Sequence, residues 1–362
     1  MRRFLRIAAL AAGAVVLLAA GGIYGATAYY TSERGQGCAS CHEMTGYVSG
    51  AHDSAHRELG CQECHEATVA TKLRHIRVHL FGPMPETIRL HDVDVLEMVP
   101  DCQRCHRHEY ATWHAGPHSA PYSQIFADPA HNAKRLLTDD CLRCHGMHFD
   151  GAMRDLVQPQ DTRGPWRITR KGFADQPAMP CQACHWVHRE GAPESRPSTR
   201  ISVAGEAVHD SLAFYDRRES MHVAATGLPI PAMHDGARSV TMSQDARQAL
   251  CYQCHAPRQP ETGSEAAAKM WGPQIGSGDD RTPMGAHEGL SCFSCHNGHN
   301  ENARASCKTC HPQMSDCGID VEKMDTTYAN ASSSHNIHWV KCADCHAHGI
   351  PKKTNVHQAG RG

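Results

Sequence analysis

Nine copies of the pattern Cys-x-x-Cys-His run through the chain and use 18 of its 19 cysteines. They are Cys38, Cys41 and His42; Cys61, Cys64 and His65; Cys102, Cys105 and His106; Cys141, Cys144 and His145; Cys181, Cys184 and His185; Cys251, Cys254 and His255; Cys292, Cys295 and His296; Cys307, Cys310 and His311; and Cys342, Cys345 and His346. Two thiols three residues apart, followed at once by an imidazole, suit c-type haem attachment: the cysteines form thioethers to the vinyl groups and the histidine ligates the iron. At the chain's own Cys and His frequencies roughly a tenth of one such pattern arises by chance. Zinc sites would need tetrahedral groupings and give no reason for a histidine always next to the second cysteine. The expected cofactors are nine covalently bound haem c groups.

A haem iron has a second axial position, and the histidine supply matches that need. Of 29 histidines nine lie in the motifs, leaving 20. In CHGMH, CHWVH and CHNGH the pairs His145 and His148, His185 and His188, and His296 and His299 are three residues apart. On a helix such neighbours point the same way, so one can hold its own haem while the other reaches a neighbouring iron. His56, His118, His222, His335 and His338 complete the candidate distal ligands. The alternative for any of them is packing or a hydrogen bond to a propionate.

The elements that must position these groups read as mainly α, with long loops and little β. Only 6% of residues are aromatic, mean hydropathy is −0.51, and there is one motif per roughly 40 of the 362 residues. Porphyrin is therefore expected to supply much of the buried apolar surface, giving a haem-dominated core. The motifs starting at Cys61, Cys102, Cys141 and Cys181 are spaced by 41, 39 and 40 residues, an internal repeat. The longest gap, 70 residues from Cys181 to Cys251, is rich in Pro and Gly. It divides the chain into an anchor (1–30), a five-motif domain (31–190), a loop-rich linker (191–250) and a four-motif domain (251–362). Cys292 and Cys307 start only 15 residues apart, which brings two haems together. Cys317 is the leftover thiol, either an intermolecular bridge or a buried inert group.

Arg2, Arg3 and Arg6 precede an uncharged run from Ile7 to Tyr30, long enough to span a bilayer with the rest of the chain outside the cytoplasm. A cleaved signal peptide ending near Ala26-Thr27-Ala28 is the competing reading. Either one exports the chain, and the expected location is the inner membrane with the haem domain in the periplasm. Acidic and basic residues nearly cancel, 38 against 36, with no basic tract, so nucleic acid is not an expected partner. Thr68–Phe81 is predicted to be a helix with Leu73, Ile76 and Leu80 on one face, able to lie on a membrane surface.

From the anchor to about residue 145 the chain resembles the NapC/NirT family of membrane-anchored tetrahaem quinol dehydrogenases, and especially its NrfH branch. The resemblance is carried by His42-Glu43-Met44, a CHxM arrangement, and by Ser54-Ala55-His56 ahead of the second motif. It implies that Met44 holds the first iron, that His56 is a distal ligand to another haem, and that Lys72 is the nearest match to a lysine at the quinol site. On the residues alone, His42 as ligand with Met44 packed on the porphyrin stays open. Asp92 is a candidate acceptor for protons released by quinol. The chain departs from the family in its short gap to Cys102 and in its five further motifs.

The function these features imply is electron transfer from the membrane quinol pool to a periplasmic or outer-membrane redox partner in anaerobic respiration. The alternative is a terminal multihaem oxidoreductase acting on nitrite, hydroxylamine or a sulfur oxyanion. That reading needs an open iron, often marked by an altered motif such as CxxCK, and none occurs here.

Overall fold

The computed structural model describes residues 2–30, 36–65, 68–82, 91–188, 208–209, 211–255, 281–299 and 304–311, with a few single positions between 313 and 348. Cys317, His335, Cys342 and Cys345 lie outside the described residues, as does the side chain of Lys72.

The fold is mainly helical. Among the described residues, the α-helices after the first run only 4 to 13 residues, and strand is limited to three two-stranded pairs. The first helix, Arg2–Tyr30, contains a stretch, Arg3–Tyr29, long and apolar enough to cross a membrane; its most apolar window has a mean hydropathy of 2.2, none of it buried. At about 1.5 Å per residue those 27 residues reach about 40 Å, more than the roughly 30 Å of a bilayer's hydrocarbon core.

The remainder divides into two compact units. The first comprises 1–111, 118–195 and 209–222 and carries the first five motifs; the second comprises 112–117, 196–208 and 223–362 and carries the last four. Part of the stretch expected to be a linker thus packs with the first unit, and backbone bonding explains why. Arg217 donates to the carbonyls of Phe149 and Gly151. The N–H of Ala213 donates to Cys184 O at 3.1 Å and that of Trp186 to Ser211 O at 2.7 Å.

Low aromatic content did not lead us to expect a side-chain core, yet the first unit has one. Leu96, Tyr122, Phe126, Leu142, Phe149, Met153, Leu156 and Phe173 are all 2% exposed or less. Its rings meet edge to face, Tyr122 on Phe173 at 5.3 Å and Phe149 on Phe173 at 5.2 Å, the geometry that ring quadrupoles favour. The fourth motif is built into this core: Leu142 is fully buried, and Gly146, directly after His145, has φ +95° and donates to Ala178 O at 2.9 Å. A Cβ at Gly146 would come within 2.6 Å of Tyr122 Cε1, so the position needs glycine both for its backbone and for its clearance.

The second unit is organised differently, around a buried ion pair. Arg247 Nε lies 3.0 Å from Asp245 Oδ1, with both residues under 10% exposed. Asp245 Oδ2 also accepts the Ser291 hydroxyl at 2.7 Å, and the Arg247 guanidinium lies 5.0 Å from the centre of the Phe293 ring. Gln248, 1% exposed, donates to Ser243 O at 2.7 Å and accepts the N–H of Cys292 at 3.4 Å. These bonds tie the helix before the sixth motif to the start of the seventh. Removing one member of a buried ion pair leaves an uncompensated charge. Asp245→Ala is therefore expected to destabilise the second unit by about 3–5 kcal/mol, read as an earlier denaturant midpoint for haem-loaded protein.

Candidate metal centres

Seven motifs share one local conformation. The histidine N–H donates to the carbonyl of the first cysteine at 2.9 Å for His65, His106 and His145, 3.0 Å for His185, and 2.8 Å for His255, His296 and His311. This single helical turn puts both thiols on one side and the imidazole just beyond them. None of the sixteen described motif cysteines is in a disulfide, so each keeps the thiol that thioether attachment consumes.

The motifs read alike in sequence, but their second thiols differ in exposure. Cys64, Cys105, Cys184 and Cys310 are exposed; Cys105 and Cys310 each end a helix, Val99–Cys105 and Arg304–Cys310. Cys254 is half-buried, its N–H on Cys251 O at 3.1 Å. Cys144 is buried, 9% exposed, because its turn is built into the side-chain core beside Leu142. A vinyl group would have to reach Cys144 before that core closes, whereas Cys105 and Cys310 are open in the folded chain.

Among the described motifs the first is the exception in backbone. Cys41 is extended at φ −95°, ψ 124°, which breaks the turn and lets His42–Met44 form a separate 3-10 turn closed by Met44 N–H on Cys41 O at 3.0 Å. His42 and Met44 therefore lie on the same short turn. His42 Nε2 is 3.2 Å and His79 Nδ1 3.0 Å from Glu43 Oε1. The Glu43 carboxyl is held below its usual range first by its own backbone N–H and then by the two imidazoles.

Among the described residues no three His, Cys, Asp or Glu side chains gather as a site built from protein ligands alone would require, and this includes Cys105, Cys144, Cys254 and Cys310. The imidazoles come in pairs. An imidazole nitrogen binds a metal at about 2 Å, and its ring centre lies roughly 1 Å behind it, so two imidazoles on opposite sides of one metal have centres roughly 6 Å apart. Five motif histidines have a second imidazole at that distance. The separations are 6.0 Å for His42–His79, 6.0 Å for His56–His106, 5.8 Å for His65–His188, 6.2 Å for His287–His311 and 6.3 Å for His296–His338.

Three of the expected distal ligands, His56, His188 and His338, thus face motif histidines far from them in sequence. His148, from CHGMH, is buried and stacked on Tyr215 at 4.1 Å, and its Nε2 has no hydrogen-bond partner. A buried nitrogen lacking a proton partner fits an axial ligand better than a packing residue. His222 lies beside the fifth motif, its Nε2 2.8 Å from Gln182 O and its ring stacked on Trp186 at 5.7 Å. His118 is exposed, and His299 is half-buried with its N–H on Asn297 Oδ1 at 3.0 Å. The motif imidazoles of His185, His255 and His346 are half-buried, whereas that of His145 lies edge-on to Phe126 at 6.5 Å.

Asp92 sits inside the first unit's core. It accepts the N–H groups of Val93 at 2.8 Å and Asp150 at 3.0 Å and lies 3.5 Å from Arg170, so its carboxylate is taken up in holding the fold. His287 was not among the expected ligands. Only a pattern of spacing could have singled out His287, because its partner lies beyond the next motif.

Burial lowers the pKa of His56, His65, His222, His287 and His296, takes His188 down to about 4 and takes His148 to about 3. A neutral imidazole keeps the lone pair that a metal requires. In an unfolded chain these rings take up a proton near pH 6.5, so between there and about 3–4 the unfolded state binds more protons than the folded one. Stability is expected to be fully present above pH 6.5 and to fall as pH drops through that window, measured by denaturant midpoint against pH; His148→Phe should flatten the lower part of the curve. No protein-family model matches the chain, and neither does any curated protein or solved structure.

Proposed function

We propose that the chain is a membrane-anchored nonahaem c-type cytochrome that carries electrons from the quinol pool to a periplasmic or outer-membrane acceptor. The observation that carries this reading is the set of four imidazole pairs, His56–His106, His65–His188, His287–His311 and His296–His338, at 5.8 to 6.3 Å, each including a motif histidine that follows two thiols outside any disulfide. When bound, each haem would supply a one-electron iron couple, with the motif histidine and, in the pairs, the facing imidazole as the residues that would hold it.

Two further imidazoles outside those pairs, His148 and His222, are held in place by the residues around them. Stacking on Tyr215 and Trp186 fixes the rings of His148 and His222, and burial keeps both neutral. Fixed, neutral ligands minimise the rearrangement that a change of oxidation state would otherwise demand. At the membrane end, Leu73, Leu80 and Phe81 on the helix Val69–Phe81 are more than half exposed, which suits contact with lipid beside the first helix. The same helix carries Lys72 and His79, and the distinct turn of the first motif supports an electron-entry point there that differs from the other centres.

The resemblance to the NapC/NirT family supports quinol as the donor. Asp92 is committed to the core, so Glu43, beside His42 and His79, is the carboxylate nearest this end of the described chain.

Mass spectrometry of the mature protein is expected to give the polypeptide plus nine haems; a markedly smaller number would remove the basis of the reading. Electron paramagnetic resonance of purified protein should change on adding a quinol analogue. A high-spin ferric signal that responds instead to nitrite or hydroxylamine would assign the chain to terminal reduction. Deleting residues 2–30 while supplying a separate export signal is expected to abolish quinol-driven reduction of the haems in membranes and leave dithionite reduction intact.

A further inference from the structure

The pattern Ala-His-x-x-Leu-x-Cys-x-x-Cys-His occurs twice, at residues 55–65 and 286–296. The two copies fold alike. The leucine N–H donates back to the histidine carbonyl, Leu59 to His56 at 2.9 Å and Leu290 to His287 at 3.1 Å. The motif histidine then closes its own turn on the first cysteine, at 2.9 Å for His65 and 2.8 Å for His296.

Their long-range partners also correspond. In neither copy does the leading histidine face the motif that follows it immediately. His56 faces His106 of the third motif at 6.0 Å and 81°, and His287 faces His311 of the eighth at 6.2 Å and 82°. In both cases the partner belongs to the next motif but one along the chain from the histidine itself. The two copies lie in separate units, so one packing arrangement does not impose the other.

Each leading histidine is held by different means. Ser54, 2% exposed, accepts the N–H of His56 at 3.1 Å and donates to Ala51 O at 2.8 Å. His287 ends a 3-10 turn that begins at Gly285, where φ is +64°, directly after Met284, which is 4% exposed. On its other side Glu288 is clamped: Arg238 Nη1 reaches both carboxylate oxygens at 2.8 and 2.9 Å, and Thr241 N–H donates at 2.7 Å. Two solutions to one positioning problem argue that the position of the imidazole is what matters.

We propose that this repeated segment is a ligand-crossing unit, and that His287 is the axial ligand opposite His311 at the eighth motif. The proposal rests on the haem reading above. Its consequence is that the haem attached at Cys307 and Cys310 is six-coordinate through a ligand supplied from ahead of the seventh motif, locking the two closely spaced motifs of the second unit together.

The test uses full-length, haem-loaded protein carrying His287→Gly, with haem content fixed by mass spectrometry. The expected result is an unchanged haem count and one new high-spin ferric centre that returns to low spin on adding imidazole. An unchanged haem count with a spectrum identical to the parent would overturn the assignment and leave the haem reading standing. A parent protein without nine haems would overturn the reading beneath it. Should the glycine variant not accumulate, His287→Met keeps a ligand in place; a thioether opposite histidine raises the reduction potential. One centre should then titrate at higher potential, and a redox titration superimposable on the parent would overturn the assignment.

Discussion

The separation of facing imidazoles is the constraint that the rest of the chain serves. A pair at 5.8 to 6.3 Å cannot be set by either residue's neighbours in sequence, because the two rings come from segments far apart along the chain. Errors in packing anywhere between them add at the pair. Each unit therefore needs a rigid frame, and the two units obtain rigidity from different chemistry. In the first it is interlocked aromatic rings around the fourth motif; in the second it is the buried Asp245–Arg247 pair and its hydrogen bonds to Ser291 and the backbone.

That division has an energetic logic. Apolar burial is non-directional and tolerates small shifts, whereas a buried ion pair costs desolvation and is worth having only when its geometry is fixed. The second unit places its ion pair between the sixth and seventh motifs, where a defined register is at stake. In the first unit the fourth motif is held by packing at Leu142 and Cys144 and by the clearance at Gly146.

Much of this was legible in the sequence. The motifs, their one-turn geometry, the helix over 69–81 and the long apolar first helix follow from local spacing and hydropathy, which depend on near neighbours only. The unequal exposure of the second thiols, Cys144 buried while Cys64, Cys105, Cys184 and Cys310 are exposed, was not legible, because a motif specifies its own turn and says nothing of what packs on it. His56, His188 and His338 were legible as spare imidazoles, although their partners were not, because pairing is decided by tertiary packing. His287 was passed over for the same reason. The side-chain core was hidden for another: only 6% of the chain is aromatic, but Tyr122, Phe126, Phe149 and Phe173 are gathered in one place, and composition averages over position. Asp92 read as an available carboxylate because its partners, Asp150 and Arg170, are remote in sequence.

The facing of His65 by His188 has a bearing on how the molecule is made. If the chain is exported from its amino end, as proposed, the second motif reaches the outside well before residue 188. On the proposed reading the His65–His188 pair would then stay unmade until the residues through the fifth motif had crossed the membrane. Biogenesis would then close the first unit in a single late event, with its last-arriving histidine setting the moment.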